Sequence, residues 1–189
     1  MPRWEPNARE RLVTSALQLF SEQGYDQTTV AQIAERAGLT KSTFFRHFPD
    51  KRDVLAAGQQ TLSRLLVEGI TGAPVDATPL GAVSAGLERI ARSMTPLNRQ
   101  LAPQVQAAIA TSAELQERDQ LKQVGMAAAT ADALRARGVP AATAAVAAEL
   151  GMLAFKESFA AWVSGDDDDL AELTRSALAR LRATLTELV

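Results

Sequence analysis

"TTVAQIAERAGLTKSTFFRHF", Thr28 to Phe48, decides the fold of this 189-residue chain. Thr29 followed three residues later by Gln32 is a T-x-x-Q capping box, the reciprocal pairing that opens a helix. Val30, Ile33, Ala34 and Ala37 recur at i, i+3, i+4 and i+7 and give that helix one apolar face. Gly38 stops it, because glycine accepts the left-handed backbone of a helix terminus. Thr40 then caps a second short helix, which ends near Phe48-Pro49. Two helices of about two turns, joined through "AGLT", read as a helix-turn-helix. The segment before them supplies a third wall. Asn7 with Glu10 reads as a cap, Leu12, Val13, Ala16, Leu17 and Phe20 form an apolar stripe, and Gly24 ends it.

In the second helix of the pair, Phe44 and Phe48 stand four apart and face inward, with Leu39 completing the small core. Lys41, Ser42, Phe45 and His47, the chain's one histidine, fall on other faces. In a recognition helix that outer surface enters the major groove, with N-terminal residues at the base edges. Lys41 can donate to guanine O6 or N7. Ser42 and Thr43 can bond bases or phosphates, the Phe45 ring can lie against thymine methyls, and His47 can donate to a phosphate. Thr29 and Thr40 head helices whose first N–H groups are open to phosphate oxygens. Lys51, in the first turn of the next helix, would clamp the backbone from the side. The competing readings are packing of Phe45 onto the first or fourth helix, a bond from His47 to Asp53, and plain solvated lysines at 41 and 51.

The whole chain fits this assignment. It is 47% hydrophobic and 22% charged, an ordinary balance for a globular protein, and it has no cysteine. Disulfides, thiolate nucleophiles and cysteine-ligated metals are therefore excluded. No secretory leader and no run of about 18 apolar residues is apparent, so the cytoplasm is the expected compartment. Residues 1–52 carry eight Lys/Arg and six Asp/Glu, whereas residues 53–189 carry twelve and sixteen. A mildly basic front and an acidic rear suggest two tasks. No phosphate-binding glycine loop, HExxH or G-x-S-x-G element occurs. No catalytic residue, metal site or cofactor is expected, and "DDDD", Asp166 to Asp169, reads as acids on the N-terminus of the last helix.

Beyond residue 48 the chain is read as helical throughout, so the fold class is all-α. Asp50 would cap a fourth helix over about 50–72, whose face is Leu55, Gly58, Leu62, Leu65, Leu66 and Gly69. Five further helices are placed at about 79–94, 97–111, 113–137, 140–164 and 167–188, with prolines 79, 96 and 140 near starts and glycines 138 and 165 at ends. The expected division is a helix-turn-helix domain over 1–52 and a larger helical domain over 53–189, linked by the fourth helix.

"TTVAQIAERAGLTKSTFFRHFPDKRDVL", residues 28–55, closely resembles the DNA-binding segment of the TetR family of bacterial transcriptional regulators. The resemblance runs through Thr28-Thr29, Val30 to Ala34, Ala37-Gly38-Leu39, Thr40 to Thr43, Phe44-Phe45, Phe48 and Lys51. It implies nine helices, a homodimer formed through the last two, a ligand pocket in the C-terminal domain, and a grip on operator DNA set by that ligand. It places DNA contacts on Thr29, Thr40, Lys41, Ser42, Thr43, Phe45, His47 and Lys51. Two departures stand out. The position of Phe45 is commonly tyrosine, so a phenol-to-phosphate bond is lost. Ala31 stands where relatives often carry a long polar residue.

The C-terminal part is read from pattern. The last helix shows a seam of Leu170, Leu173, Ala177, Leu181, Leu185 and Leu188. The helix before it is apolar on more than one face, which fits burial on several sides. Together they suggest a four-helix bundle across a twofold axis, with Ala148, Gly151, Trp162, Leu173, Ala177, Leu181 and Leu185 at the interface. A monomer with a thick core is the other reading. Candidate pocket residues are Leu62 and Leu66 on the fourth helix and Met94 at the end of the fifth. Leu101, Val105 and Ile109 follow on the sixth, Val124 and Met126 on the seventh, and Met152, Phe155 and Phe159 on the eighth. Methionines suit an adaptable apolar cavity, hence an apolar or amphipathic small ligand. Glu88 with Arg92 reads as a surface pair, and Glu157 as exposed or as the answer to a cationic ligand. Expected partners are double-stranded DNA, a small effector and a second copy of the chain, with no membrane. The activity expected is repression. An activator, or a helical protein-interaction module without DNA binding, is the alternative, and an enzyme is not expected.

Overall fold

The computed structural model describes residues 8–54, 59–165 and 169–187, without the side chains of residues 59 and 60. Nine α-helices and no strand occur among them: α1 Ala8–Gln23, α2 Val30–Arg36, α3 Lys41–His47, α4 Gln59–Thr71, α5 Pro79–Ser93, α6 Pro96–Thr111, α7 Ala113–Ala136, α8 Ala141–Ser164 and α9 Leu170–Glu187. The expected boundaries of α5 to α8 agree within a residue. Asn7, Leu55, Gly58, Asp166 to Asp168 and Leu188 lie outside the described residues.

Contacts divide the chain into two compact units. The first comprises Met1–Gly58 and Gln100–Asp119, the second Gln59–Arg99 and Gln120–Val189. The expected boundary near residue 52 is thus displaced by a few residues, and a piece of the presumed C-terminal domain joins the N-terminal unit. That piece buries Leu101, Ala102, Ala108 and Leu115.

In the first unit α1 packs on both α2 and α3, and α2 on α3. Leu12, Ala16, Ile33 and Phe44 are fully buried, and Phe48 is nearly so. A tilted pair of Phe44 and Phe48, centroids 5.6 Å apart, fixes the inward side of α3. Asp50 does not open a long helix. Its carbonyl accepts from Asp53 N at 3.1 Å, and Lys51–Val54 close into a 3₁₀ turn instead.

The second unit is built on α5, which packs against α4, α8 and α9, while α8 packs on α9. Its core gathers Leu66, Ile70, Val83, Leu87, Ile90 and Leu134. The helices α4 and α5 meet at backbone distance. A Cβ on Gly69 would lie 2.5 Å from Gly86 Cα, and one on Gly86 2.6 Å from the Leu66 carbonyl oxygen. Glycine in a helix costs about 1 kcal/mol against alanine, a cost offset here by close packing. Arg137 closes the C-terminus of α4, donating to the carbonyls of Ile70, Ala73 and Pro74 at 3.1, 2.9 and 2.5 Å. Between α8 and α9, the buried hydroxyls of Ser158 and Thr174 bond at 2.9 Å. Asp169 opens α9 by accepting from Glu172 N at 2.9 Å, the N-terminal role read for this acidic run.

Candidate nucleic-acid interface

The sequence reading of the helix starts holds in atomic detail. Thr29 Oγ1 accepts from Gln32 N at 3.3 Å while Gln32 Oε1 accepts from Thr29 N at 2.8 Å, completing the box. Gln23 on α1 donates to Gln32 Oε1 at 3.3 Å and to Thr28 Oγ1 at 3.2 Å, tying this start to the first helix. Thr40 Oγ1 accepts from Thr43 N at 3.1 Å and lies 3.0 Å from the Thr43 hydroxyl. The hydroxyls of Thr29 and Thr40 are therefore engaged in capping, and that of Thr43 pairs with Thr40.

The turn between the helices is a Schellman motif. Leu39 N donates to Ala34 O at 2.8 Å and Gly38 N to Glu35 O at 2.9 Å, with Gly38 at φ +66°. Arg11 on α1 donates to the carbonyl of Ala37, so the first helix also closes the second. A Cβ at Gly38 would approach the Arg11 Nη2 to 2.7 Å.

On α3, Lys41, Ser42, Arg46 and His47 are exposed, and Phe45 is 55% exposed with its ring set edge-on to Phe44. The packing alternative for Phe45 is thus not adopted. Nor does His47 bond Asp53, whose carboxylate is held by Arg118. Arg46 is the residue the sequence reading passed over. Counting about 100° per residue, it points roughly 200° away from Phe44 and shares a face with Ser42, four residues earlier. A wheel centred on the buried Phe44–Phe48 pair would have found it. The outer face of α3 therefore offers one lysine, one arginine, one hydroxyl, one imidazole and one apolar ring.

Lys51 differs from its expected role. Its ammonium donates to the carbonyls of Tyr25 and Thr28 at 2.6 and 2.9 Å, with that of Asp26 at 3.5 Å, and sits 4.2 Å from the centroid of the Tyr25 ring. Three N–H donors meet three carbonyls, so the charge is spent inside the loop before α2 and does not project as a clamp. Tyr25 is 4% exposed. Burial, with the charges of Glu114 and Asp50 adding, pushes its phenol up to about 12.

The candidate pocket residues fall in both units. Val124 is 68% exposed, whereas Leu66 and Met126 are packed in the core of the second unit. Leu101, Val105 and Ile109 belong to the first unit and the others to the second. Leu62, Met94, Met152 and Phe155 are half-buried against the second unit's core, and Phe159 lies against the Trp162 cluster. A depression of about 370 Å³ is lined by Ala91, Arg92, Met94, Asp169, Leu170 and Ala171, of which only Met94 was among the candidates. Glu88 and Arg92 do pair, at 2.9 Å, and Glu157 is exposed beside Arg180 at 3.5 Å.

The dimer candidates divide likewise. Ala148, Gly151, Trp162 and Ala177 are buried within their own chain. A Cβ on Gly151 would run into Val83 Cγ1, so its smallness serves the contact with α5. Leu173, Leu181 and Leu185 are half-buried. The outward face of α8 instead shows Val146, 55% exposed, and Leu153, 43% exposed. Among the described residues no group of three acids or histidines could hold a metal, and no helix is long and apolar enough to cross a membrane.

A three-helix unit with a Schellman turn, two threonine-capped helix starts and a basic, aromatic outer face forms a helix-turn-helix. Residues 12–57 match the family model described as "Bacterial regulatory proteins, tetR family". The helix-turn-helix segment of this chain is that of the TetR family. Over 82 residues the chain is 35% identical to the HTH-type transcriptional regulator TcmR of Streptomyces glaucescens, covering 43% of this chain and 36% of that one. The matched region is thus little more than a third of that relative. A TetR-family regulator from Syntrophomonas wolfei superposes with TM-score 0.64 at 19% identity, over 97% of each chain. SmeT of Stenotrophomonas maltophilia, solved as a triclosan complex, superposes with TM-score 0.61 at 23% identity, over 94% of this chain and 90% of that one. The whole-chain fold is therefore the all-helical fold of these structures. The relatives it matches are named as transcriptional regulators, not as enzymes.

Proposed function

We propose that the chain is a DNA-binding transcriptional regulator that represses by binding a pseudo-palindromic operator as a homodimer and is released by a small apolar or amphipathic ligand. The observation that carries the DNA reading is the outer face of α3. Lys41, Ser42, Phe45, Arg46 and His47 are presented to solvent while Phe44 and Phe48 are buried behind them. Lys41 and Arg46 supply donors to guanine edges or phosphates, and Phe45 supplies apolar surface for thymine methyls. The capped starts of α2 and α3 supply N–H groups for phosphate oxygens on either side. With DNA as its partner, the protein is read as acting in the cytoplasm.

The homodimer is supported by the apolar outward face of α8 at Val146 and Leu153. Two copies related by a twofold axis present recognition helices to half-sites roughly 34–36 Å apart. The effector reading draws on SmeT, a repressor solved with triclosan, and on the half-buried Met94, Met152 and Phe155. Selection of bound duplexes from a random library tests the reading. A motif with two inverted half-sites about one helical turn apart is expected, and enrichment of no motif sinks it in favour of a protein-interaction module. A thermal-shift screen tests the effector: stabilisation only by compact, highly charged metabolites counts against an apolar ligand.

A further inference from the structure

We propose that Arg118, on α7, is a positioning residue for the DNA-facing end of α2. The inference rests on the DNA-binding reading above and uses contacts within the first unit. Arg118 donates to Asp53 of the 3₁₀ turn, and Arg52 of the same turn lies 3.5 Å from Glu114, one helical turn before Arg118. One face of α7 thus holds two successive charged residues of a four-residue turn. From that turn Lys51 reaches the carbonyls of Tyr25 and Thr28 at 2.6 and 2.9 Å. Thr28 is 1% exposed, and its hydroxyl donates to Gly24 O at 2.8 Å. The next residue, Thr29, is the N-cap of α2.

The turn opens with Asp53 N donating to Asp50 O at 3.1 Å and Lys51 N to Asp50 Oδ1 at 2.5 Å, and 3₁₀ geometry is weakly self-supporting. Its side chains set its place: Val54 at 1% exposure on one side, Lys51 on the α1–α2 loop, and Asp53 on Arg118. The start of α2 is therefore located by a residue 89 positions later in the sequence than its cap, Thr29. Arg118 acts through Asp53 and Lys51 and does not itself reach for phosphate, because its guanidinium is committed to the Asp53 carboxylate.

The sign of the Asp53 effect separates this from bulk electrostatics. Removing an acid near a phosphate backbone strengthens binding if charge alone counts. Loss of positioning weakens it. The test uses the full chain and the duplex that the wild-type chain selects, with affinity measured by fluorescence anisotropy. Asp53→Asn and Arg118→Gln are each expected to weaken binding on the order of 3–30-fold, and the double variant no more than the weaker single. Arg118→Lys recovers part of the loss. Circular dichroism at the assay temperature reports whether each variant is folded. Where a single variant unfolds, the exchange Asp53→Arg with Arg118→Asp, which re-forms the pair, is expected to bind better than either half of the exchange alone. Asp53→Asn binding as tightly as wild type or tighter, multiplicative losses in the double variant, or a folded exchange variant with no recovery each overturns the proposal. A wild-type chain that selects no motif overturns the DNA reading instead.

Discussion

Arg46 projects from α3 on the side opposite the buried Phe44, and a guanidinium there can form the two-pronged contact to guanine that a lysine cannot. Arg46→Ala is expected to cost about 1–3 kcal/mol at the selected site and to flatten preference at one base pair of each half-site. Competition among singly substituted duplexes reads this; uniform weakening across all of them would assign Arg46 to phosphate. Phe45 has no hydroxyl, so any contact it makes with DNA rests on shape and apolar surface. Tyr25 offers a different kind of measurement. The chain has one tyrosine, so alkaline ultraviolet titration reports this phenol by itself. Its proton is held up to about 12 in the fold, against the ordinary tyrosine value of 10.0. The folded chain binds the extra proton between those values. The resulting stability is fully present below pH 10 and is lost as pH rises toward 12. In Tyr25→Phe the fall in stability over that window is expected to be shallower than in wild type, by thermal unfolding at matched pH.

Among the elements, α4 shows how an end can be closed from a distance. The carbonyls of its last turn and of the loop after it converge on the Arg137 guanidinium, a cation placed at the negative end of a helix. Arg137→Ala is expected to destabilise the chain by about 1.5–3 kcal/mol in urea unfolding, because charged hydrogen bonds are lost. Arg137→Lys should recover little, since one ammonium cannot reach carbonyls spread from Ile70 to Pro74. An unchanged midpoint in the alanine variant would show that water replaces the guanidinium. Most of the helices were legible in the sequence because their signals are local. Thr29 with Gln32, Thr40, Gly38 and Pro79 mark boundaries through bonds within four residues. The 3₁₀ turn at Lys51–Val54 was not legible. Its form follows from Lys51 reaching back to Tyr25 and Asp53 being held by Arg118, and neither partner leaves a trace in the spacing around residue 51. Arg137 was hidden for the same reason.

At the scale of the molecule, the same distinction separates the residues proposed to face DNA from the others. The proposed recognition helix carries its assignment in seven consecutive residues, whereas the proposed pocket and interface depend on which side of α8 meets α5. That choice is made by Gly151, which admits Val83, and it turns Val146 and Leu153 outward. Leu153→Glu is expected to convert a dimer to a monomer in sedimentation velocity and to reduce affinity for the full palindrome far more than for a single half-site. A variant that stays dimeric would place the interface elsewhere. The backbone contact at Gly69 and Gly86 bears on how any effector could act. Most helix pairs are separated by side chains that can change rotamer and absorb a small displacement. Between α4 and α5 that cushion is missing, since main-chain atoms touch at the crossing. A displacement of α4 at this crossing is therefore expected to carry α5 with it.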